Sequence, residues 1–490
     1  MSRSVIQLAG AVFLLGALTS FAVIPLIRRW AMTRAILDLP TEGRKIHTEA
    51  VPRIGGAAIY LGFVLIFLFV GIFLPRQVSV SDGWEQIFLV TTPMFLLGLW
   101  DDFRPLGAKK KLIGQILISM FAYFIGMRIE NVTDPFTHAP HNLGVLGFFC
   151  TVIWIVGITN LINLIDGLDG LAAGVSLFLM LVMAALATLK SSLPLFCLSV
   201  GMVGVLAGFL FFNFPPAKIF LGDGGAYFLG SLIASVALVN SSKGELVAAM
   251  VVPFFALGLP VLDTALAIVR RGILGLPISR GDRQHIHHRL LDMGFSQRRT
   301  VVLLYLICTF LCLVAAVFFV AGSRWWAVLL GVLFTVAILS VRGLGYVKSW
   351  DRLGLQLAGS VEKRRTAQMA LLLGRVLVLE AETCNNWEDF RRLVGSLLER
   401  MGFHFLAMQS SVPEMERFEW KPSRARPWEI ETAEWVEQKR AIRAGREVLG
   451  TIKIAGYVAE DYLDHFHRLA DILGESIEEG FRVCYRKFEL

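Results

Sequence analysis

Four polar clusters interrupt an otherwise apolar sequence, and each carries residue types that bind cations or phosphates. The densest is Asn160, Asn163, Asp166 and Asp169, placed directly after the apolar stretch 145–162. An ionised side chain at the edge of such a stretch faces a partner, an ion or a polar cavity. Asn163 and Asp166 stand three residues apart, as do Asp166 and Asp169, and on a helix each pair shares a face. A strip of oxygen donors like this suits Mg²⁺, which takes a few protein oxygens together with substrate phosphate. Helix capping around glycine turns accounts for one or two of these residues, not four.

The second cluster, Asp101-Asp102, ends an apolar run and leads into Arg104 and Lys109-Lys110-Lys111. Adjacent carboxylates repel unless a metal or a cation offsets them. One of them can then serve as a base or touch a metal indirectly, and the lysines can hold phosphate oxygens. A solvated basic loop is an equal alternative. The third cluster is a glycine-rich turn, Phe220 to Gly225, around Asp223. Its backbone can approach a diphosphate, with Asp223 on the metal and Phe220 stacked on a base. Alone, it also reads as an ordinary turn.

The fourth cluster holds His285, His287 and His288 among Arg280, Arg283 and Arg289. The histidines can ligate zinc, but no Cys or Glu stands at metal-site spacing, and the arginines suit phosphate. Asp263, in the preceding apolar run, is either a site wall or a buried interhelical partner. Lys45, His47 and Arg53 lie in the first basic loop, where Gly55-Gly56 allows helices to approach closely.

These clusters need a membrane scaffold to position them. The chain has 490 residues, of which 55% are hydrophobic and 18% charged, and several apolar runs approach the bilayer-spanning length of about 20 residues. The fold expected is an all-α polytopic membrane protein with about eleven transmembrane helices and a small C-terminal cytoplasmic α/β domain. Run lengths put the spans near 5–27, 54–74, 86–100, 112–127, 145–162, 171–189, 195–214, 226–239, 246–269, 301–321 and 326–341. The first is read as a retained span, since no small-residue cleavage site follows it. The net charge of +8 reflects basic loops near anionic lipid, not nucleic-acid binding. The more basic set of loops, which carries all four clusters, belongs in the cytoplasm, with the N-terminus outside.

Cys150, Cys197, Cys308 and Cys312 fall in apolar runs, and Cys384 and Cys484 in the tail. No spacing suggests zinc or a disulfide framework. From about Gly345 the chain turns polar. A helix is expected over 387–401, strands over 403–408 and 448–455, a loop over 413–427 and a closing helix over 462–483. This order resembles a GAF-type sensory domain and points to a regulatory tail with an unidentified ligand or partner.

Taken together, Asp101-Asp102, the Asn160–Gly170 run, Phe220-Leu-Gly-Asp223 and His285-x-His287-His288 resemble the polyprenyl-phosphate N-acetylhexosamine-1-phosphate transferase family, in order and spacing, over roughly residues 40 to 300. Lys45-x-His47 before Pro52-Arg53-x-Gly-Gly, and Ile286 interrupting the histidines, resemble its N-acetylglucosamine branch more than its muramoyl-pentapeptide branch. The resemblance implies Asp223 and Asn163 as ligands of Mg²⁺, with Mn²⁺ as an alternative ion. It implies Asp101 or Asp102 assisting attack by the lipid phosphate, with Asp166, His287 and His288 also catalytic. Lys111 and the His287-His288-Arg289 region would lie on substrate phosphates, Lys45 and His285 would also bind substrate, and Phe220 and Asp169 would lie near the uracil. Gly225 stands where related sequences often carry Ser.

The partners implied are undecaprenyl phosphate, a UDP-N-acetylhexosamine and membrane lipid, with a homodimer compatible with the sequence. A rival reading is a proton-coupled transporter of an anionic substrate, because intramembrane acids and histidines also mark carriers. Against it, the acids gather at one face instead of the midplane.

Overall fold

A computed structural model describes residues 3–34, 37–38, 51–73, 83–133, 140–189, 191–241, 293–321, 353–412, 415–422, 434–444, 447–458 and 462–488, with isolated positions between 253 and 291 and at 331 and 335. The apolar runs form helices α1 (Arg3–Thr33), α2 (Gly56–Phe73), α3 (Trp84–Phe103), α4 (Ala108–Phe124), α5 (Val145–Ile165), α6 (Leu171–Leu189), α7 (Leu193–Asn213), α8 (Gly222–Ser241) and α9 (Gln297–Ala321). Among the described residues, seven helices are long and apolar enough to cross a membrane: α1, α2 and α5 to α9. Helices α3 and α4 occupy two more of the eleven expected spans. The expected spans 246–269 and 326–341 fall largely outside the described residues.

Helix α8 is the hub. Of its most apolar stretch 83% is buried, against 28% for α1. Small residues bring its neighbours into backbone contact. A Cβ on Gly98 of α3 would stand 2.4 Å from the Asp223 carbonyl oxygen, and one on Gly230 of α8 would stand 2.5 Å from Thr159 Cα of α5. The carboxyl-terminal end of α3 is therefore pressed against the amino-terminal end of α8. Leu14, Leu18, Leu68, Ile72, Leu117 and Ile153 stay exposed on the outer helices, an apolar surface suited to lipid.

The chain divides into two compact units, the second made mainly of Lys348–Leu490. Taken by itself, this tail contains α10 (Leu353–Ala381), α11 (Trp387–Arg400) and α12 (Leu463–Phe488). Its antiparallel sheet is formed by β5 (Phe405–Ser410), β6 (Arg417–Trp420), β7 (Glu434–Ala444) and β8 (Glu447–Val458) in the order β6-β5-β8-β7. Two short antiparallel ladders lie earlier in the chain, β1 (Leu37–Asp38) with β2 (Val51–Pro52) and β3 (Asn131–Thr133) with β4 (Pro140–Asn142). Helix α11 starts where the Asn386 side chain accepts the Asp389 amide at 2.9 Å, with acids in its first turn. Phe390, Leu406, Ile452, Leu473 and Phe481 fill the core. The loop expected over 413–427 is corrected in part: 417–420 form edge strand β6, paired with β5.

Candidate functional site

Neighbouring residues on a helix project about 100° apart, so Asp101 and Asp102 at the end of α3 take different partners. Both oxygens of Asp102 accept backbone amides, from Asp223 at 2.9 Å and from Gly224 at 2.9 Å. A carboxylate from one helix thereby caps the amino terminus of another, where unpaired amides and the helix dipole favour negative charge. The turn entering α8 requires glycine. Gly222 has φ +75°, and a Cβ there would meet the Arg53 carbonyl oxygen at 2.1 Å and the Asp102 oxygens at 2.8 and 3.0 Å.

Asp101 points elsewhere. Its Oδ1 accepts the Leu106 amide at 2.6 Å, and its Oδ2 pairs with Lys111 Nζ at 2.6 Å. Lys111, in the first turn of α4, also reaches Asp223 Oδ2 at 2.7 Å. The other oxygen of Asp223 accepts from Asn163 Nδ2, in the last turn of α5, at 3.0 Å. Asp101, Lys111, Asn163 and Asp223 thus meet around one point, although they are spread over more than a hundred positions of sequence.

Asp166 follows the end of α5 and stands half-buried. Desolvation, with the charges of Asp223, Asp102 and Asp169, pushes its carboxyl well above the ordinary carboxylate range. The turn that carries it is tied at several points. Asp169 is buried and accepts the Ala217 amide at 2.9 Å. The Gly170 amide donates to Asn213 Oδ1 at 3.0 Å, and the Tyr305 hydroxyl donates to the Gly170 carbonyl at 2.5 Å. Asn213 Nδ2 and Arg298 Nε hold the carbonyls of Ile219 and Pro215 at 2.8 and 2.7 Å. Asn213, Arg298 and Tyr305 are absent from the sequence-based set. An Asn closing an apolar run was the one signal available.

Phe220 is half-buried. Its amide donates to the Pro52 carbonyl at 2.7 Å, and its carbonyl accepts from Gly55 at 2.9 Å. Gly56 touches α8 so closely that a Cβ would stand 2.2 Å from the Gly225 nitrogen. The glycine pair therefore serves close packing. Lys45, His285, His287, His288 and Arg289 lie outside the described residues. Ile286, between the histidines, is buried and its amide donates to Asp263 at 3.1 Å.

No group of three metal-ligating side chains occurs among the described residues. The donor set nevertheless fits a hard divalent ion. Asp223 carries oxygen donors beside Asp101, Asp102 and Asp166, and Lys111 bridges Asp101 and Asp223. Mg²⁺ is commonly held by one or two carboxylates and completed by water and phosphate oxygens.

Acids thus gather on a lysine where buried apolar helices end. Residues 84–241, from the start of α3 to the end of α8, match the model of glycosyl transferase family 4. This stretch contains Asp101, Asp102, Lys111, Asn163, Asp166, Asp169 and Asp223. The chain is 36% identical over 335 residues to a probable undecaprenyl-phosphate N-acetylglucosaminyl 1-phosphate transferase of Bacillus subtilis (strain 168), covering 68% of this chain and 91% of that protein. It is 31% identical to a decaprenyl-phosphate N-acetylglucosaminephosphotransferase of Mycolicibacterium smegmatis, covering 64% and 82%. It is also 31% identical to the phospho-N-acetylmuramoyl-pentapeptide-transferase of Bacillus subtilis (strain 168), covering 59% and 90%. The chain belongs to this family of multi-pass membrane transferases.

Proposed function

We propose that the protein transfers a sugar-1-phosphate, with N-acetylglucosamine-1-phosphate the best match, from a UDP-sugar to undecaprenyl phosphate. The products are polyprenyl-diphosphate-sugar and UMP, and the reaction starts synthesis of a cell-surface glycan. The observation that carries this reading is the Lys111 ammonium, held between Asp101 and Asp223 with Asn163 on the far side of Asp223. The relative from Bacillus subtilis named for N-acetylglucosaminyl 1-phosphate transfer supports the choice of sugar. That relative and the others reported are all transferases, which favours transfer over carriage.

Both substrates are anionic, so attack by one on the other is opposed by repulsion, and phosphoryl transfer is catalysed chiefly by positioning and charge stabilisation. Mg²⁺ held by Asp223 and Asn163 would supply neutralisation of the diphosphate. Lys111 adds a positive point charge for the transferring phosphoryl oxygens, and Asp101 aims it. Asp102 fixes Asp223 through the backbone. A lipid-phosphate oxygen attacks the phosphorus nearest the sugar. The bond from that phosphorus to the bridging oxygen breaks, and the electron pair leaves with UMP. The phosphate nucleophile is already largely ionised near neutral pH and needs little help from a base, which favours direct attack over a route through an aspartyl-phosphate.

In this reading the protein sits in a bacterial inner membrane with its N-terminus periplasmic and its site and tail cytoplasmic. The test is UMP release by purified protein given undecaprenyl phosphate, Mg²⁺ and, in turn, UDP-GlcNAc, UDP-GalNAc and UDP-muramoyl-pentapeptide. Release from the first, dependent on both lipid and Mg²⁺, is the expected result. Release from none of the three would overturn the proposal.

A further inference from the structure

Helix α10 is packed the wrong way round for a helix with one partner. The face turned into the tail core carries Ala367, Ala370, Gly374 and Ala381 beside Leu377, with Leu371, Leu373 and Val378 packed along its edges. It approaches α12 so closely that a Cβ on Gly374 would stand 2.2 Å from Ser476 Oγ. The opposite face carries large apolar residues left in the open. Met369, Leu372, Val376 and Leu379 are 49%, 62%, 45% and 64% exposed. A helix that packs one apolar face on its own core and leaves a second apolar face in the open has a further partner.

The spacing identifies what kind. Positions 369, 372, 376 and 379 step by three, four and three, the seam of a coiled coil, with 369 and 376 as a positions and 372 and 379 as d positions. A β-branched residue at a with Leu at d, as at Val376, Leu372 and Leu379, favours two parallel strands. The flanks agree. Arg375 is a g position and Glu380 the e position five residues on, and both are exposed. In a parallel pair of identical helices, g of one chain faces this e of the other. Each seam thus gains two Arg–Glu pairs, whereas an antiparallel pair sets g against g and e against e and gains none.

We propose that this face of α10 is the seam of a parallel homodimer, the occupant being a second copy of the same helix. Two heptads alone make a weak interface. Copies anchored in one membrane share orientation and raised local concentration, which lets so short a seam close.

The test is disulfide cross-linking of the full chain in proteoliposomes. Leu372→Cys should form at least fivefold more covalent dimer than Glu419→Cys, an exposed site on β6, or the unsubstituted chain with its own cysteines. Val376→Cys serves the same purpose if Leu372→Cys fails to fold. Adding R375E should lower the yield at least threefold, and R375E with E380R should restore it, because the swap rebuilds the pair across the seam. Cross-linking no greater than at Glu419→Cys would overturn the proposal, as would indifference to the charge swap. So would quenching of a label on Leu372→Cys by brominated lipid, since the face would then lie on the bilayer.

Discussion

The carboxylate of Asp102 accepts the backbone amide of Asp223 at 2.9 Å, so the end of α3 is bolted to the start of α8 through a residue whose own side chain faces Lys111 and Asn163. Asp102 is thus spent on holding Asp223. Replacing Asp102 with Ala leaves two amides at a buried helix start without acceptors, at a cost of about 1–3 kcal/mol. The resulting shift of Asp223 should lower UMP release about 100-fold. Thermal unfolding and turnover measured on the same preparation check this. A variant that unfolds earlier but turns over normally would show that the cap does not set the position of Asp223.

The candidate site was legible because carboxylates and carboxamides are costly at the ends of apolar runs, so Asp101, Asn163, Asp166 and Asp223 stood out. Their division of labour was not. Asp101 and Asp102 are indistinguishable as a dipeptide, and only the tertiary approach of α8 assigns one to the cap and the other to Lys111. The shared helix face read from the three-residue spacing of Asn163, Asp166 and Asp169 does not hold past Ile165, where α5 ends. In the tail, α11 and α12 have single apolar faces and were readable. Helix α10 was missed because apolar residues lie on both its faces. Strand β7 was missed because EWVEQKRAIRA spreads its charges along the strand.

Asp166 should show a trade of function against stability. Its carboxyl is pushed up from an ordinary value of 3.8, so the folded state holds its proton more tightly than the unfolded chain does. Stability then falls as pH rises from about 4 towards neutrality. Asp166→Asn removes that penalty. It should unfold at a higher temperature than the unsubstituted protein near pH 7, with the difference vanishing below about pH 4. Turnover should drop in the same variant. Scanning calorimetry across pH reads the first effect, and a constant difference at every pH would contradict the electrostatic cause.

Tyr305 and Gly174 form a latch under the Asp166–Gly170 turn. The Tyr305 hydroxyl holds the Gly170 carbonyl, and a Cβ on Gly174 would stand 2.1 Å from the hydroxyl oxygen of Tyr305. Tyr305→Phe loses one hydrogen bond, worth about 1 kcal/mol, and should raise KM for the UDP-sugar with a smaller change in kcat. Gly174→Ala must displace the ring and should be the more damaging of the two. Equal, negligible effects on both constants would mean the turn is held without the latch.

Asp223→Asn separates affinity from placement. If Asp223 did nothing but bind Mg²⁺, a weakened site would be refilled by mass action as the ion concentration rose. Its carboxylate also anchors Lys111 at 2.7 Å and Asn163 at 3.0 Å. An amide in its place cannot accept from both with the same charge. Most activity should therefore be lost, and raised Mg²⁺ should not bring it back. Asn163→Ala leaves the Asp223–Lys111 pair intact, so part of its loss should be recovered at high Mg²⁺. Turnover measured against Mg²⁺ concentration for both variants distinguishes these cases. Full recovery of Asp223→Asn would reduce its role to holding the ion.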